Sequence, residues 1–168
     1  MVVQLGELRE RLTARGCAVP FGVEVMGRVH ELGLLDDVVE ICRRLEPSST
    51  DEATLNPDDW LRPVLDFAHL HATSDGGFTT PDAFAGALAV ADRVLAPGTP
   101  FHIHFSDISF ANRNEKAHLP YGHGTLRAEP LAQALAQFDR PATVIAESPD
   151  EASNEKIRAI LQHARVPA

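Results

Sequence analysis

The sequence predicts an α/β fold, a parallel (β/α)4 unit that corresponds to one half of an eight-stranded β/α barrel. The chain of 168 residues has the length of one domain with a sizeable core. Four short apolar runs are typical of strands, and apolar residues at helical spacing follow each of them. Strands and helices that alternate in this way form parallel sheets with right-handed crossovers. We therefore treat residues 1–168 as a single domain.

The first half of the chain opens with a helix. Over residues 2–15 apolar side chains recur at helical spacing, and Gly16 suits the position after the helix end. A short strand is predicted over 17–24, and a second helix over 34–45. The stretch 46–60 is acidic and contains two prolines, which predicts an exposed loop insertion.

The second half continues the alternation with strands over 63–71, 101–107 and 142–147. The apolar run of the first of these is too continuous for a half-exposed strand and suits a sheet covered by helices. Thr80 and the proline after it start a helix, and a further helix is predicted over 130–138. Between the third strand and Gly124 we expect a long polar loop, and the last helix follows Asp150.

Composition narrows the classes of function. The net charge of −9 argues against broad electrostatic attraction to nucleic acid, although bound cations or a local patch of Arg113, Lys116 and Arg127 could reverse the sign around one cleft. No apolar run approaches the 18 residues of a membrane span, and no signal peptide is evident, so we expect no membrane and a cytoplasmic location. Cys17 and Cys42 are expected to be reduced core thiols.

Metal-binding side chains recur at the strand ends. Four of the eight histidines fall within 101–124, and burying imidazoles beside carboxylates is costly unless each finds a partner. In a parallel barrel the carboxyl ends of the strands open onto one face, so such residues converge on a single site. Imidazole with carboxylate suits zinc, with manganese or iron possible. The residues at the four ends are Glu24; Asp66 with His69; His104 with Asp107; and Glu147.

These pieces resemble a known family. VEVMG around Glu24, LDFAHLHA with Asp66 and His69, HIHFSD with His104, EKAHLPYGHG with His118 and VIAESP with Glu147 occur in the order and spacing of endonuclease IV. The chain resembles the C-terminal half of that group, also called AP endonuclease family 2, within the xylose isomerase-like TIM barrels. Members of the group bind a cluster of divalent metals, usually zinc, and hydrolyse the phosphodiester 5′ to an abasic site.

The resemblance implies a role for each residue. Glu24 and Glu147 would be carboxylates of a central metal pair, with Glu24 bridging and with Asp66 and His104 completing one metal. His69 and His118 would hold a separate metal with one more carboxylate from the loop. Glu147 is the first choice for orienting or deprotonating the attacking water in metal-assisted hydrolysis.

The chain departs from the family pattern in two ways. The family's loop carboxylate stands two residues before the histidine, whereas here Lys116 fills that position and the nearest acid, Glu115, stands three before His118. The family's first four strands are also unmatched, together with two histidine ligands. A half-barrel would leave one sheet face open, including Val64 and Ile103 or their neighbours. We therefore expect completion by a second copy or by a separate N-terminal half-barrel chain.

Several polar residues have a plainer interpretation. His102 is expected in the core or behind a ligand, and His71 and His123 either behind a ligand or in solvent. His30 and His163 are expected at the surface. Asp107 could cap the loop or accept a hydrogen bond from a ligand histidine, with the second preferred. Trp60 is expected to be a packing anchor.

Three functions remain open at this point. The first is a zinc-dependent phosphodiesterase acting on abasic DNA. The second is a sugar isomerase or epimerase of the same superfamily acting on a small polyol. The third is a non-catalytic half-barrel that keeps part of a metal site.

Overall fold

The computed structural model describes residues 1–17, 19–45 and 60–163. Strands and helices alternate along the chain, as predicted, and the α/β class is confirmed. The elements in chain order are α1 (Val2–Thr13), β1 (Phe21–Glu24), α2 (Leu35–Leu45), β2 (Leu61–Asp66), α3 (Phe67–Thr73), α4 (Pro81–Asp92), β3 (Phe101–Phe105), β4 (Asp107–Ala111), β5 (Asn114–Leu119), α5 (Ala128–Leu135), β6 (Ala142–Ala146) and α6 (Glu151–His163).

Four strands form a parallel sheet in the order β1-β2-β3-β6. Successive side chains of β3 point to opposite faces of this sheet. Phe101, Ile103 and Phe105 are fully buried in the core with residues from the helices, whereas His102 and His104 project from the other face. Helices therefore cover one face, and the architecture corresponds to part of a TIM barrel.

The second strand is shorter than the sequence predicts. The predicted strand 63–71 is wrong beyond Asp66, because α3 begins at Phe67. Asp66 causes the change, since its side chain accepts a hydrogen bond from the backbone N–H of His69 and so caps the new helix. This cap places His69 in the first helical turn.

The polar stretch after β3 is a β-hairpin, not the predicted loop. β4 and β5 pair antiparallel around a two-residue turn at Asn112 and Arg113, whose φ angles are 53° and 60°. Positive φ at both central residues gives the turn a twist that matches the flanking strands. The turn residues are not the usual Asn-Gly pair, so the sequence carried a weak hairpin signal.

Asp107 organises the segment after the hairpin. This fully buried carboxylate accepts hydrogen bonds from the backbone N–H groups of Gly122, Gly124 and Leu126 and from Arg127, whose Nη1 lies 3.0 Å away. The preferred expectation that it supports a ligand histidine is wrong, and the loop-capping alternative is correct. The following helix starts at Ala128 because Arg127 adopts the extended backbone of a capping residue.

The uncovered face of the sheet differs from the expected one. Ile103 is fully buried on the helix side, and Val64 is only 4 % exposed although it shares the uncovered face with Glu24. Within the part of the chain that the structure describes, Ile145, the register partner of His104, exposes an apolar side chain on this face, at 43 %.

Other details follow from burial. Strand β1 starts at Phe21, four residues later than predicted, and Cys17 is exposed, so its assignment to the core is wrong. Cys42 is buried and Trp60 packs against Phe21, as predicted.

Residues 46–59 of the predicted acidic loop lie outside the described residues. The longest helix described, α6, has 13 residues, and none of the described helices could cross a bilayer.

Candidate metal centre

The carboxyl ends of the four parallel strands bring the predicted ligands together. Glu24 and Asp66 are the last residues of β1 and β2, and Glu147 follows β6 directly. His104 pairs with Asp66 on one side and with Ile145 on the other. Because the strands are parallel and in register, these four side chains lie at one edge of the sheet.

The first cluster contains Glu24, Asp66, His104 and Glu147. One ligand atom from each of them lies within 4.8 Å of those of the others. Nδ1 of His104 is 3.1 Å from Oε1 of Glu147 and 3.4 Å from Oε2 of Glu24. Three carboxylates around one imidazole nitrogen form an oxygen-rich, negatively charged cage that suits a divalent cation.

The second cluster contains Asp66, His69 and His118, again with ligand atoms within 4.8 Å of one another. His69 comes from the first turn of α3 and His118 from β5, and their ring centroids are 5.9 Å apart. Asp66 belongs to both clusters, so the two candidate metal positions are adjacent.

Backbone carbonyls orient both histidines of the second cluster. Nδ1 of His69 is 2.8 Å from the carbonyl oxygen of Val25, and Nδ1 of His118 is 3.2 Å from that of Glu147. In a neutral imidazole each contact places the proton on Nδ1 and leaves Nε2 as the ligand atom. A metal-binding histidine commonly has such a carbonyl partner.

Glu115 lies beside the second cluster. Its Oε2 is 2.8 Å from Nε2 of His69, and its backbone N–H donates to the carbonyl of Gly27. An irregularity in the hairpin explains how Glu115, three residues before His118, lies on the same side of the hairpin as His118. Ala117 pairs with Ser109 and Glu115 with Phe110, so Lys116 is an extra residue in the ladder. Such a bulge re-aims the side chains on either side of it.

Unpaired buried atoms favour a bound cation. Oδ1 of Asp66 caps α3, but its Oδ2 is buried and has no hydrogen-bond partner in the described part of the chain. Nδ1 of His104 is also buried and makes no hydrogen bond there, despite its short distance to Glu147. Buried lone pairs cost free energy unless a donor or metal meets them. The residues present therefore fit a metal.

Burial and neighbouring charges shift two pKa values in the clusters. Burial raises the pKa of Glu24 above its usual range, and repulsion from Asp66 raises it further. Burial alone would lower the pKa of His69. Asp66, the Val25 carbonyl, Glu115 and Glu24 outweigh that effect, so this pKa is raised. The carboxylates contribute to both shifts, and a cation among them would relieve their mutual repulsion.

The other histidines stand apart from these clusters. His71 is fully buried, with Nε2 at 2.9 Å from the Thr125 hydroxyl, and burial lowers its pKa. His102 contacts the ring of His104 from deeper in the sheet, at 5.6 Å. His30, His123 and His163 are exposed.

Two contributors to this region were not recognised in the sequence. A Cβ atom on Gly27 would lie 2.6 Å from Oε2 of Glu115 and 2.9 Å from Cδ2 of His69, so the cluster requires glycine there. The sequence signal for this contact was weak, because Gly27 lies three residues beyond the end of β1 and its neighbours Glu115 and His69 are remote in the sequence. Arg62, on the uncovered face, was also missed.

Comparison with known proteins is consistent with this geometry. Residues 4–165 match the family model described as xylose isomerase-like TIM barrel. An uncharacterized protein of Methanocaldococcus jannaschii is 28 % identical over 142 residues, which cover 83 % of this chain and 47 % of the relative. The chain thus spans about half the length of the curated relative that it matches.

Proposed function

Because the chain belongs to the family of xylose isomerase-like TIM barrels, we propose that it carries the metal-binding wall of an endonuclease IV-like phosphodiesterase that cleaves DNA at abasic sites. The observation that carries the proposal is the pair of ligand clusters that share Asp66 at the carboxyl edge of the sheet. Zinc is the proposed metal, with manganese or iron as alternatives, because both clusters mix imidazole with carboxylate.

Each side chain has a role that suits hydrolysis. When bound, divalent cations lower the pKa of an attacking water and neutralise charge on the phosphate and the leaving oxygen. Glu24 belongs to the first cluster, where its Oε2 lies 3.4 Å from Nδ1 of His104, which supports the role proposed for it as a carboxylate that bridges the central metal pair. Glu147 remains 31 % exposed at the edge of the cluster, where it can orient a water and accept its proton.

A sugar isomerase or epimerase is the second candidate, and one observation favours it. Two of the three residues of the basic patch that would offset the net charge of −9 already make contacts within the protein. Arg127 is paired with Asp107, and Nε of Arg113 donates to the carbonyl of Thr73 at 2.7 Å. Lys116 is exposed. A small neutral polyol would need no such patch, because phosphate neutralisation contributes nothing to its binding.

The test is cleavage of a duplex that contains one abasic site, with zinc-loaded protein and with chelator, alongside metal content by elemental analysis. We expect bound metal and chelator-sensitive nicking on the 5′ side of the site. Bound metal with isomerisation of a polyol and no nicking would favour the second candidate, and bound metal with neither activity would favour a non-catalytic half-barrel. Protein that takes up no metal would contradict the metal centre itself.

A further inference from the structure

Asn154 belongs to neither ligand cluster, yet its side chain holds the residue that follows Glu147. It lies near the start of α6. The backbone N–H of Ser148 donates to Oδ1 of Asn154 at 3.0 Å, and Nδ2 of Asn154 donates to the carbonyl oxygen of Ser148 at 3.3 Å. A side-chain amide that bonds both backbone groups of one residue fixes that residue at two points. Ser148 is buried, so these bonds lie inside the protein.

One peptide group connects Asn154 with His118. The N–H that donates to Asn154 and the carbonyl of Glu147 belong to the same peptide, which joins Glu147 to Ser148. A peptide group is planar and trans, so its N–H and its C=O point in opposite directions. By holding the N–H, Asn154 therefore directs the carbonyl oxygen at the other end, which lies 3.2 Å from Nδ1 of His118.

Glu147 contributes to both clusters through different groups. Its side chain lies in the first cluster, 3.1 Å from Nδ1 of His104. Its carbonyl oxygen contacts Nδ1 of His118, which leaves Nε2 as the ligand atom in the second cluster. The N–H of Glu147 donates to the carbonyl of Phe105 at 3.0 Å and so belongs to the sheet. The next peptide lies beyond the paired residues of β3 and β6, where Asn154 holds it in place of a strand.

The plainer alternative is that Asn154 only closes the turn before α6. Other groups already hold that end of the helix. The carboxylate of Asp150 accepts from the backbone N–H and the hydroxyl of Ser153, at 2.9 and 2.7 Å. The same hydroxyl accepts from the backbone N–H of Tyr121 at 2.9 Å. These bonds cap α6 and attach it to the segment after the hairpin without any contribution from Asn154.

From these contacts we infer that Asn154 is a positioning residue of the metal centre, which acts through the peptide between Glu147 and Ser148 to keep the proton of His118 on Nδ1 and its Nε2 directed at the metal. The inference rests on the metal centre of the proposed function. It requires neither DNA nor a particular reaction.

The first test locates the proton of His118 in the metal-free protein by nitrogen nuclear magnetic resonance. The measurement is made at about pH 8, where an ordinary imidazole is neutral. The His118 signals are identified by their absence from the spectrum of His118→Gln. We expect the wild type to carry the proton on Nδ1, and Asn154→Ala to shift the larger share to Nε2. A proton on Nε2 in the wild type would overturn the inference.

Asp150→Ala is the matched control for this test. It removes the other side-chain cap at the start of the same helix and leaves the peptide between Glu147 and Ser148 untouched. It should lower the melting temperature without moving the His118 proton. A wild-type proton position in Asn154→Ala, with only the lowered melting temperature that the control also shows, would assign Asn154 a purely structural role and overturn the inference.

The second test is a zinc titration followed through the Nε2 signal of His118, which reports the second cluster alone. Loss of a group that orients a metal ligand typically reduces affinity 10–100-fold, so Asn154→Ala should need at least about tenfold more zinc for half-saturation. Asp150→Ala should need the same amount of zinc as the wild type. Equal zinc affinity in Asn154→Ala and the wild type would contradict the positioning role.

Two further variants cover the case in which Asn154→Ala does not fold. The hydroxyl of Asn154→Ser stops one atom short of the position of Oδ1, so this variant should also shift the His118 proton to Nε2. Asn154→Asp retains an acceptor for the N–H of Ser148 and should keep the proton on Nδ1. The same proton position in both variants would overturn the inference. The expected proton shift without nicking of abasic DNA by the wild type would contradict the proposed function and support this inference.

Discussion

Nδ1 of His104 lies 3.1 Å from Oε1 of Glu147, across the two adjacent parallel strands β3 and β6. The nitrogen is buried, yet it makes no hydrogen bond to any residue that the structure describes. A buried nitrogen and a carboxylate oxygen at this distance, with no hydrogen bond between them, are two ligand atoms that one cation can bind. Glu147 is the residue proposed to activate water, and His104 is a proposed metal ligand, so the contact joins the two roles.

Replacing Glu147 by glutamine is expected to abolish the proposed hydrolysis while the fold is retained. The amide cannot accept the proton of an attacking water, so nicking of abasic DNA should fall by a factor of at least about 10². The side chain is 31 % exposed, so the melting temperature should change little. Glu151→Gln, at an exposed position in the first turn of α6, is the matched control and should retain activity. Full activity of Glu147→Gln would eliminate this residue as the base.

Gly27→Ala is expected to weaken metal binding without unfolding the protein. The added methyl would displace Glu115 and His69, whose atoms lie within 3 Å of its position. Because displaced supporting groups typically reduce metal affinity 10–100-fold, we expect a loss of about tenfold or more in zinc titration calorimetry. Gly86→Ala on α4 has no atom within 4 Å of its new methyl and should stabilise the helix by about 0.5–1 kcal/mol. Equal zinc affinity in both variants would contradict the packing argument.

The candidate ligands at the strand ends could be predicted from the sequence because the signal for each lies within a few residues. A carboxylate or histidine at the end of an apolar run marks a position, and parallel topology then brings the positions together. Glu24, Asp66, His104 and Glu147 were identified in this way and lie in one cluster. The parallel order of four strands followed from the same alternation.

The hairpin and the short helix α3 were not predictable with the same rules. Residues 67–71 hold three apolar residues and two histidines in a pattern that suits a strand, and only the side-chain cap by Asp66 shows that they begin a helix. The hairpin turn at Asn112 and Arg113 lacks glycine, and no residue of β5 is buried, so that strand carries no apolar alternation to mark it. Tertiary contacts decide the local conformation in both segments.

Asp107→Asn is expected to destabilise the protein strongly. The carboxylate accepts four backbone N–H groups, that of Ile108 included, and pairs with Arg127, and an amide would direct its own N–H groups at some of these donors. Unsatisfied buried donors and an unpaired cation together should cost about 2–4 kcal/mol, measured by urea unfolding. Asp75→Asn is the control. It lies at an exposed turn with φ 58°, which asparagine tolerates, so its effect should stay within about 0.5 kcal/mol. Similar stability of both variants would contradict the capping role of Asp107.

Tyr121 is the single tyrosine of the chain. Its ionisation therefore reports on the packing of the segment that follows the hairpin. Tyr121 is 8 % exposed, and its hydroxyl donates to Oε2 of Glu129 at 2.8 Å and accepts from the backbone N–H of Ala128. Burial raises the pKa of this phenol to about 12, and the Glu129 carboxylate adds to the effect. The unfolded chain should ionise near the ordinary value of about 10.

The sign of the pH dependence follows from these two values. Between about pH 10 and 12 the folded state keeps a proton that the unfolded state has lost, so stability from this residue is present below pH 10 and decreases as pH rises. Absorbance of tyrosinate should rise with a midpoint near 12 in the folded protein and near 10 in urea. Glu129→Gln should move the folded midpoint toward 10, whereas Glu155→Gln on α6 should leave it in place. A folded midpoint near 10 in the wild type would show that the Tyr121 hydroxyl is solvated and that the Tyr121–Glu129 hydrogen bond is absent in solution.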